Sequence, residues 1–274
     1  MNFYLYSAEK RNEYDKRLTT SDYTKFIILG SPRVGSTWIL SALTSHPHVI
    51  GYSEIFDNVN FLDNLNGPLP YALYPYETIN YFKKLREEDP AGFLDNYIYR
   101  KYHQKVKCVG FKFFYDQPEQ EPCRSNVLKY LTSRNDIRII HIKRKNLLEN
   151  IVSLEIALKT NNWVKTPKSS DTEVQPFVLG YNKCLQLFEE REQQQQCFDA
   201  LFKHFITYQL HYEDLARSPA THFLEIQRFL GLEPRELQTV LKKQNTKPLS
   251  DLLLNYEELK ERFSSSKWAY CFEE

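Results

Sequence analysis

One stretch constrains the fold more than any other, because it joins an apolar run to a glycine-bearing turn and then to a helical segment. The run is Lys25 to Leu29, KFIIL, and the turn is GSPRVGSTW, Gly30 to Trp38. A short apolar run with β-branched residues, bounded by glycine, is typical of a buried parallel strand. The next residues, TWILSALTSH, have apolar positions at helical spacing and end before Pro47. This order of strand, turn and helix predicts an anion-binding βα unit.

The rest of the chain repeats the alternation of apolar runs and helical segments. The predicted strands are 106–115, 137–142 and 205–210, and the predicted helices are 146–159, 181–204 and 221–230. Strands that alternate with helices predict an α/β fold of the P-loop type, with three α/β/α layers, a central, mostly parallel sheet and helical insertions. Ligands of such sheets bind at the carboxyl ends of the strands.

The length of 274 residues predicts a single domain, 1–274, with insertions. A stretch rich in Asn, Pro, Tyr and Phe is expected to be an insertion at the acceptor site rather than a core unit. The predicted subdivisions are a first βα unit at 25–50, the insertion at 57–103 with helical patterning near 77–88 and 92–102, a second βα unit at 137–159 and a polar loop at 161–176.

Charge and cysteine content exclude several classes of protein. The 36 basic and 35 acidic residues nearly cancel, which argues against non-specific binding of nucleic acid or anionic membranes, so an anion site must be local. Neither a signal-peptide pattern nor an apolar run of 18 residues is present, and we expect a cytoplasmic protein without a membrane span. Five scattered cysteines without a C-x-x-C pair argue against a disulfide framework and a structural zinc site.

The residue types of the turn decide which anion it suits. Gly30 and Gly35 permit a tight turn, and the helix that follows adds main-chain amides and a positive dipole end. A nucleoside triphosphatase needs lysine at the position of Ser36, and the strand 137–142 is followed by three basic residues where an acidic magnesium ligand is wanted. Arg33 instead can reach a phosphate or sulfate oxygen without a metal, so no metal site is predicted.

The turn resembles the 5′-phosphosulfate loop of the sulfotransferases that use 3′-phosphoadenosine 5′-phosphosulfate (PAPS). Those loops read P-[KR]-x-G-[ST]-[TS]-[WL], and PRVGSTW fits at every position. The tail from Thr246 to Leu259, followed by SSSKW, is similar to a bacterial branch that includes carbohydrate, Nod-factor and trehalose-type enzymes. The resemblance implies PAPS as donor, 3′-phosphoadenosine 5′-phosphate (PAP) as product, and donor binding by Pro32, Arg33, Val34, Gly35, Ser36, Thr37 and Trp38.

The resemblance also implies a second cationic site, remote from the first, for the 3′-phosphate of the donor. Arg144 at the strand end and Ser153 on the next helix resemble the family motif for this phosphate. They are nine positions apart, whereas many members show a spacing of eight, which Lys145 would satisfy. Arg144 is favoured because only arginine can donate two parallel hydrogen bonds to a phosphate. Tyr212 in LHYEDLARSP resembles a family tyrosine that contacts adenine, with Trp38 expected in the same cavity.

Sulfuryl transfer by in-line displacement requires cations at the leaving group and a base for the acceptor hydroxyl. Arg33 and Lys112 are the candidate cations, Lys112 because it matches a strand lysine of the family. Phe114 occupies the position of the histidine base of many cytosolic members. Glu54 in GYSEIF resembles the glutamate base of the trehalose-type enzymes, although a carboxylate there could instead hydrogen-bond the acceptor. The fallback bases are His46, His48, His141 and His204.

The leading interpretation is therefore a metal-independent sulfotransferase that acts on a hydroxyl of an oligosaccharide or small molecule. A P-loop kinase remains an alternative, and it would require magnesium-dependent turnover of ATP. A non-catalytic anion-binding protein of the same fold is the other alternative. No nucleic-acid partner is expected.

Overall fold

The protein is built on one parallel sheet of five strands. A computed structural model describes residues 20–57, 83–117, 124–165, 174–241 and 246–273. Within these ranges all strand pairs are parallel, and the strand order is β2-β3-β1-β4-β5. The strands are β1 Thr24–Gly30, β2 Val49–Tyr52, β3 Cys108–Phe114, β4 Ile137–Lys143 and β5 Thr207–His211.

Helices connect the strands and continue after the last one. A helical stretch at 83–88 precedes the short helix Pro90–Phe93, and a π-helical turn, Leu94–Ile98, follows that helix. The labelled helices are α1 Ser36–Thr44, α2 Pro90–Phe93, α3 Arg124–Ser133, α4 Leu147–Thr160, α5 Tyr181–Leu201, α6 Tyr212–Arg217, α7 Pro219–Phe229, α8 Leu249–Leu252 and α9 Tyr256–Phe263, with a 3₁₀ helix at Ala269–Phe272.

Both faces of the sheet are covered by apolar side chains, as the continuous apolar run of β1 predicts. Phe26 and Ile28 pack on one face with residues of α1 and α7, and Ile27 and Leu29 pack on the other with residues of α2, α3 and the end of α5. Burial on both faces explains why β1 shows no polar alternation. The predicted three-layer α/β/α fold is confirmed.

A third apolar cluster lies beside the sheet and joins α4, the first half of α5 and α9. Its members include Ile151, Phe188 and Phe263, all of them buried. This cluster fixes α4, the helix that carries Ser153, against the carboxyl-terminal part of the chain. The prediction of a single domain is not tested by these contacts and stays a prediction.

The structure departs from the predicted elements in several places, and helices α3, α8 and α9 were not predicted. Strand β2 was not predicted, because VIGY is short and contains a glycine. In the structure Gly51 packs against α1, and an added Cβ would lie 2.5 Å from Leu40. The helix predicted near 92–102 is interrupted: α2 ends at Phe93 and the π-helical turn ends at Ile98. Residues 83–88 are helical as predicted, whereas 77–82 of the same helix and 166–173 of the loop predicted at 161–176 lie outside the described residues.

None of the helices within the described ranges combines the length and the apolar character that a membrane crossing requires.

A buried polar network lies on the face of the sheet opposite α1. The Tyr115 hydroxyl is hydrogen-bonded to Nε2 of His141, whose Nδ1 lies 3.4 Å from Asp199 on α5. Lys143 donates to the same carboxylate at 2.7 Å. Burial, with a further contribution from the Lys143 charge, lowers the pKa of His141 to about 4. His141 is therefore neutral in the folded protein at neutral pH.

This network predicts a loss of stability on mild acidification. Below the ordinary histidine pKa of 6.5 the unfolded chain takes up a proton that folded His141 takes up only near pH 4. The free energy of unfolding should therefore fall by up to about 3 kcal/mol between these pH values because of this residue. Urea unfolding at several pH values should show that the free energy of unfolding falls less with decreasing pH in His141→Gln than in wild type. Parallel pH curves for the two proteins would contradict the prediction.

Candidate active site

The anion-binding turn, hereafter the phosphate loop (residues 30–38), joins β1 to α1 in a tight conformation. Arg33 and Gly35 have φ values of 68° and 93°, in the left-handed region. A Cβ on Gly35 would lie 2.7 Å from Cδ2 of Tyr212, and one on Gly30 would lie 2.5 Å from the carbonyl oxygen of Ile142. Neither position has space for a larger side chain, so both glycines are required by the packing of the loop.

The second βα unit holds the main chain of the phosphate loop. Asn150 on α4 donates from Nδ2 to the carbonyl oxygen of Pro32 at 2.8 Å. Nη1 of Arg144, which follows β4, donates to the carbonyl oxygen of Arg33 at 3.1 Å. These contacts satisfy two loop carbonyls and hold the loop against the residues that follow β4.

The Arg33 side chain crosses to α4 and to the segment after it. Its Nε donates to Oγ of Ser153 at 3.2 Å, and its Nη1 donates to the carbonyl oxygen of Trp163 at 2.6 Å. Burial and the neighbouring charge of Arg144 lower the pKa of Arg33 to about 10. The guanidinium therefore keeps its positive charge at neutral pH.

Arg144 lies beside the phosphate loop, so the two candidate cationic sites adjoin at the same edge of the sheet, and their separate binding of two phosphates stays a prediction. The physical reason is the strand order: β4 is hydrogen-bonded to β1, so the two strands end side by side. The Arg144 side chain is only 7% exposed, packs 4.6 Å from the ring centroid of Tyr212 and pairs with Glu149 and Glu213. Among the described residues its Nε has no hydrogen-bond partner.

Lys145, the competing candidate for the 3′-phosphate, points to a different partner. Its half-exposed ammonium donates to Asp214 of α6 at 2.7 Å. Glu213 of the same helix accepts the main-chain N–H of Lys145 at 3.0 Å. Burial, and an Nε without a hydrogen bond within the described residues although it lies 3.7 Å from Glu213, favour Arg144 over Lys145. The binding role of either residue stays a prediction.

The two aromatic residues expected at the adenine are brought together. Tyr212 is the first residue of α6, and its ring lies edge-on to Trp38 with centroids 6.5 Å apart. Trp38 in turn contacts Phe223 of α7 at 5.6 Å. Both rings are partly buried beside the phosphate loop, and their contact with adenine stays a prediction.

Lys112 is the buried cation at the centre of the site. It lies on β3 opposite Ile28 of β1, on the face covered by α1, and it is 1% exposed. Its Nζ donates to Oγ1 of Thr37 at 2.9 Å and to Oε1 of Glu54. Lys112 therefore connects the phosphate loop to the candidate base.

Glu54 lies in the turn that follows β2, and its carboxylate is held on both oxygens. Ser53 donates to Oε2, and Lys112 donates to Oε1. Burial alone would raise the pKa of Glu54, but the ammonium of Lys112 outweighs it and the Ser53 hydroxyl adds to the effect, so the pKa lies below its usual range. At neutral pH the carboxylate is ionised and able to accept a proton.

The four fallback histidines are not part of this cluster. His46 and His48 precede β2, and His204 precedes β5, so these three lie near the amino ends of strands, away from the phosphate loop. His141 is in the network with Tyr115 on the opposite face of the sheet. The geometry therefore favours Glu54 as the base.

Three contacts at the site involve residues that were not among the candidates. Ser53 and Asn150 supply side-chain hydrogen bonds, and Trp163 supplies a carbonyl oxygen. Ser53 could have been suspected as the neighbour of Glu54, and Asn150 as a polar residue on the apolar side of a helix. A main-chain acceptor such as that of Trp163 leaves no signal in the sequence.

Comparison with known proteins shows the family to which this chain belongs. The family model described as "Sulfotransferase domain" matches residues 23–270. Nodulation protein H of Rhizobium meliloti (strain 1021) is 25% identical over 250 residues, which covers 90% of this chain and 94% of that protein.

Solved sulfotransferase structures are also similar to the chain. The sulfotransferase of Alicyclobacillus acidocaldarius is 14% identical with a TM-score of 0.45, over 87% of this chain and 90% of that one. A mouse sulfotransferase, SULT7A1, solved in complex with PAP, is 14% identical with a TM-score of 0.41, over 98% and 80% of the two chains.

The fold and the family model together define an α/β transferase of the sulfotransferase class. The chain belongs to the sulfotransferase family, whose members move a sulfuryl group from PAPS to an acceptor, and nodulation protein H is similar to it along most of its length. The predicted family, enzyme class and activity are thereby confirmed, and the kinase alternative is not supported. The roles of individual site residues, and independence from metal ions, stay predictions.

The tight packing at Gly35 predicts a sharp effect of adding one methyl group. In Gly35→Ala the new Cβ would clash with the Tyr212 ring at a positive φ, so we expect PAP affinity to fall by about tenfold or more. Calorimetric titration with PAP measures this. Gly180→Ala is the matched control, because nothing lies within 4 Å of its added Cβ. Wild-type affinity in Gly35→Ala would show that the loop geometry is unimportant for the donor.

Proposed function

We propose that this chain transfers the sulfuryl group of PAPS to a carbohydrate hydroxyl and that Glu54 removes the hydroxyl proton. The observation that carries the proposal is the position of Lys112, whose ammonium contacts both Thr37 of the phosphate loop and the Glu54 carboxylate. One buried cation thus lies between the loop expected to bind the donor and the group expected to activate the acceptor.

The residues around the phosphate loop fit the two anionic groups of PAPS. The loop opens a nine-residue helix, and the N-cap Gly35 contributes no side-chain cap to its first amides. The guanidinium of Arg33 is charged, and the buried Nε of Arg144 lacks a hydrogen-bond partner within the described residues. A phosphate bound there would supply the missing acceptor, since buried donors of charged groups are costly when unpaired. We assign the 5′-phosphosulfate to the loop and the 3′-phosphate to Arg144 and Ser153.

The transfer forms a bond between the acceptor oxygen and sulfur and breaks the bond between sulfur and the bridging oxygen of the 5′-phosphate. The electron pair of the broken bond stays on the phosphate oxygen, where negative charge increases. We assign the stabilisation of that charge to Lys112, which contacts the phosphate loop through Thr37 and whose burial strengthens its effect. Arg33, the other candidate cation, would have to turn from its contacts with Ser153 and Trp163 to reach this oxygen. The released nucleotide is PAP.

The proton of the acceptor hydroxyl passes to the Glu54 carboxylate in the same step. Because Lys112 and Ser53 keep this carboxylate ionised, it needs no prior deprotonation at neutral pH. Its proximity to Lys112 also means that a proton arriving on Glu54 weakens an existing ion pair. The base and the cation therefore act as one unit.

A carbohydrate acceptor and a cytoplasmic location complete the proposal. The similarity to nodulation protein H along most of the chain supports a sugar hydroxyl as acceptor. The four described cysteines are free thiols, as is usual in a reducing compartment. A small-molecule alcohol is the alternative acceptor.

Incubation of the purified protein with ³⁵S-labelled PAPS tests the function. The acceptor panel contains neutral oligosaccharides, phenols and aliphatic alcohols, and labelled product is measured after chromatography. We expect label on oligosaccharides without added metal ions. Label on phenols or simple alcohols alone would overturn the carbohydrate assignment, and no transfer from PAPS to any of them would overturn the proposal as a whole.

The role of Glu54 predicts a specific kinetic defect. Glu54→Gln keeps the shape of the side chain but cannot take the proton, so kcat should fall by about 10²- to 10⁴-fold while PAP affinity is retained. Ser53→Ala is the control, since it removes one hydrogen bond to the carboxylate and should lower kcat by less than about tenfold. A near-normal kcat in Glu54→Gln would place the base elsewhere.

A further inference from the structure

Arg86 is a buried guanidinium that the proposed reaction does not use. It lies in the helical stretch 83–88, inside the segment 57–103 expected at the acceptor site, and it is 1% exposed. Its Nη1 donates to the carbonyl oxygens of Ile55 and Asp57, at 3.3 and 3.1 Å, and its Nη2 lies 3.6 Å from Glu87. An arginine is rarely buried completely unless its guanidinium is paired or hydrogen-bonded.

The two carbonyls that Arg86 contacts belong to the turn that carries Glu54. This turn is closed by two main-chain hydrogen bonds, from Ile55 to Ser53 at 3.0 Å and from Asp57 to Glu54 at 2.9 Å. Strand β2 ends at Tyr52, and the last main-chain hydrogen bond from β3 reaches Ser53, whose carbonyl oxygen accepts from the N–H of Lys112 at 3.3 Å. Beyond Glu54, Arg86 supplies side-chain donors to the carbonyl oxygens of the turn.

The core side of the same turn is anchored by an aromatic ring. Phe56 is 2% exposed and contacts the rings of Phe93, Phe111 and Phe113 with centroids about 6 Å apart. With Phe56 fixed in the core and Arg86 bound to the carbonyls on either side of it, the turn is held from both sides. A planar guanidinium suits this task, since it donates several hydrogen bonds in fixed directions.

We propose that Arg86 is the positioning residue for Glu54: its guanidinium fixes the turn 54–57 so that the carboxylate faces Lys112 and the acceptor. The inference rests on the proposed function, because it assumes that Glu54 is the base. It also gives the segment 57–103 a second role, since this segment supplies a group that controls the catalytic geometry. A displacement of a catalytic group by about 1 Å costs up to about 10²-fold in rate.

The test is a kinetic double-mutant cycle between Arg86 and Glu54. Arg86→Met should lower kcat by about tenfold or more and leave PAP affinity unchanged, because the donor site is built by other residues. In the Glu54→Gln background the same replacement should lower kcat little further, since a residue that acts through Glu54 has no effect once the carboxylate is gone. Thermal unfolding confirms that each variant is folded at the assay temperature.

Two further variants make the result specific. Arg86→Lys keeps the charge but not the planar guanidinium, so its kcat should lie between those of wild type and Arg86→Met. This variant replaces Arg86→Met in the cycle if Arg86→Met does not fold. Arg191→Met is the matched control, because Arg191 is also buried but lies on α5. Its effect on kcat should be small and the same in both backgrounds.

The outcomes separate this inference from the function on which it rests. If Glu54→Gln is nearly as active as wild type, the proposed base is wrong. If Glu54→Gln is impaired and Arg86→Met lowers kcat by the same factor in this background as in wild type, the base stands and the positioning role of Arg86 is overturned. A wild-type kcat in Arg86→Met has the same meaning.

Discussion

The site depends on one buried ammonium group, that of Lys112. A lysine on the covered face of a sheet is strongly destabilising unless its charge has partners, and here these are the Thr37 hydroxyl and the Glu54 carboxylate. Removing one partner of a buried ion pair costs about 3–5 kcal/mol. The phosphate loop, β3 and the turn after β2 are thereby held in one arrangement, and that arrangement is the basis of the proposed sulfuryl transfer.

The strand order explains why these groups meet. In the order β2-β3-β1-β4, the carboxyl ends of neighbouring strands present Glu54, Lys112, the phosphate loop and Arg144 along one edge of the sheet. The chain separates the first two by 58 positions, yet parallel pairing places them in contact. Ligand binding at the carboxyl edge of a parallel sheet thus follows from topology, and the chemistry follows from which side chains the strand ends carry.

The sequence was sufficient for the parts of this arrangement that local patterns encode. The apolar run of β1, the two loop glycines and the helical spacing of α1 predicted the βα unit, and the loop motif predicted the family. Contacts between distant segments could not be predicted in this way. The pairing of Lys112 with Glu54, the contact of Arg144 with the loop carbonyl, and the hydrogen bonds of Arg86 depend on strand order and on side-chain direction, which residue spacing alone does not determine.

The most direct test of the central claim is the pKa of the Glu54 carboxyl, measured by ¹³C NMR titration of protein labelled at glutamate and assigned with Glu54→Gln. The ion pair with Lys112 predicts a pKa below the ordinary value of 4.5, and it predicts that Lys112→Met raises this pKa, because burial is then opposed only by the hydrogen bonds to the carboxylate. A Glu54 pKa above 4.5 in the wild-type protein, or one that does not change in Lys112→Met, would contradict the account.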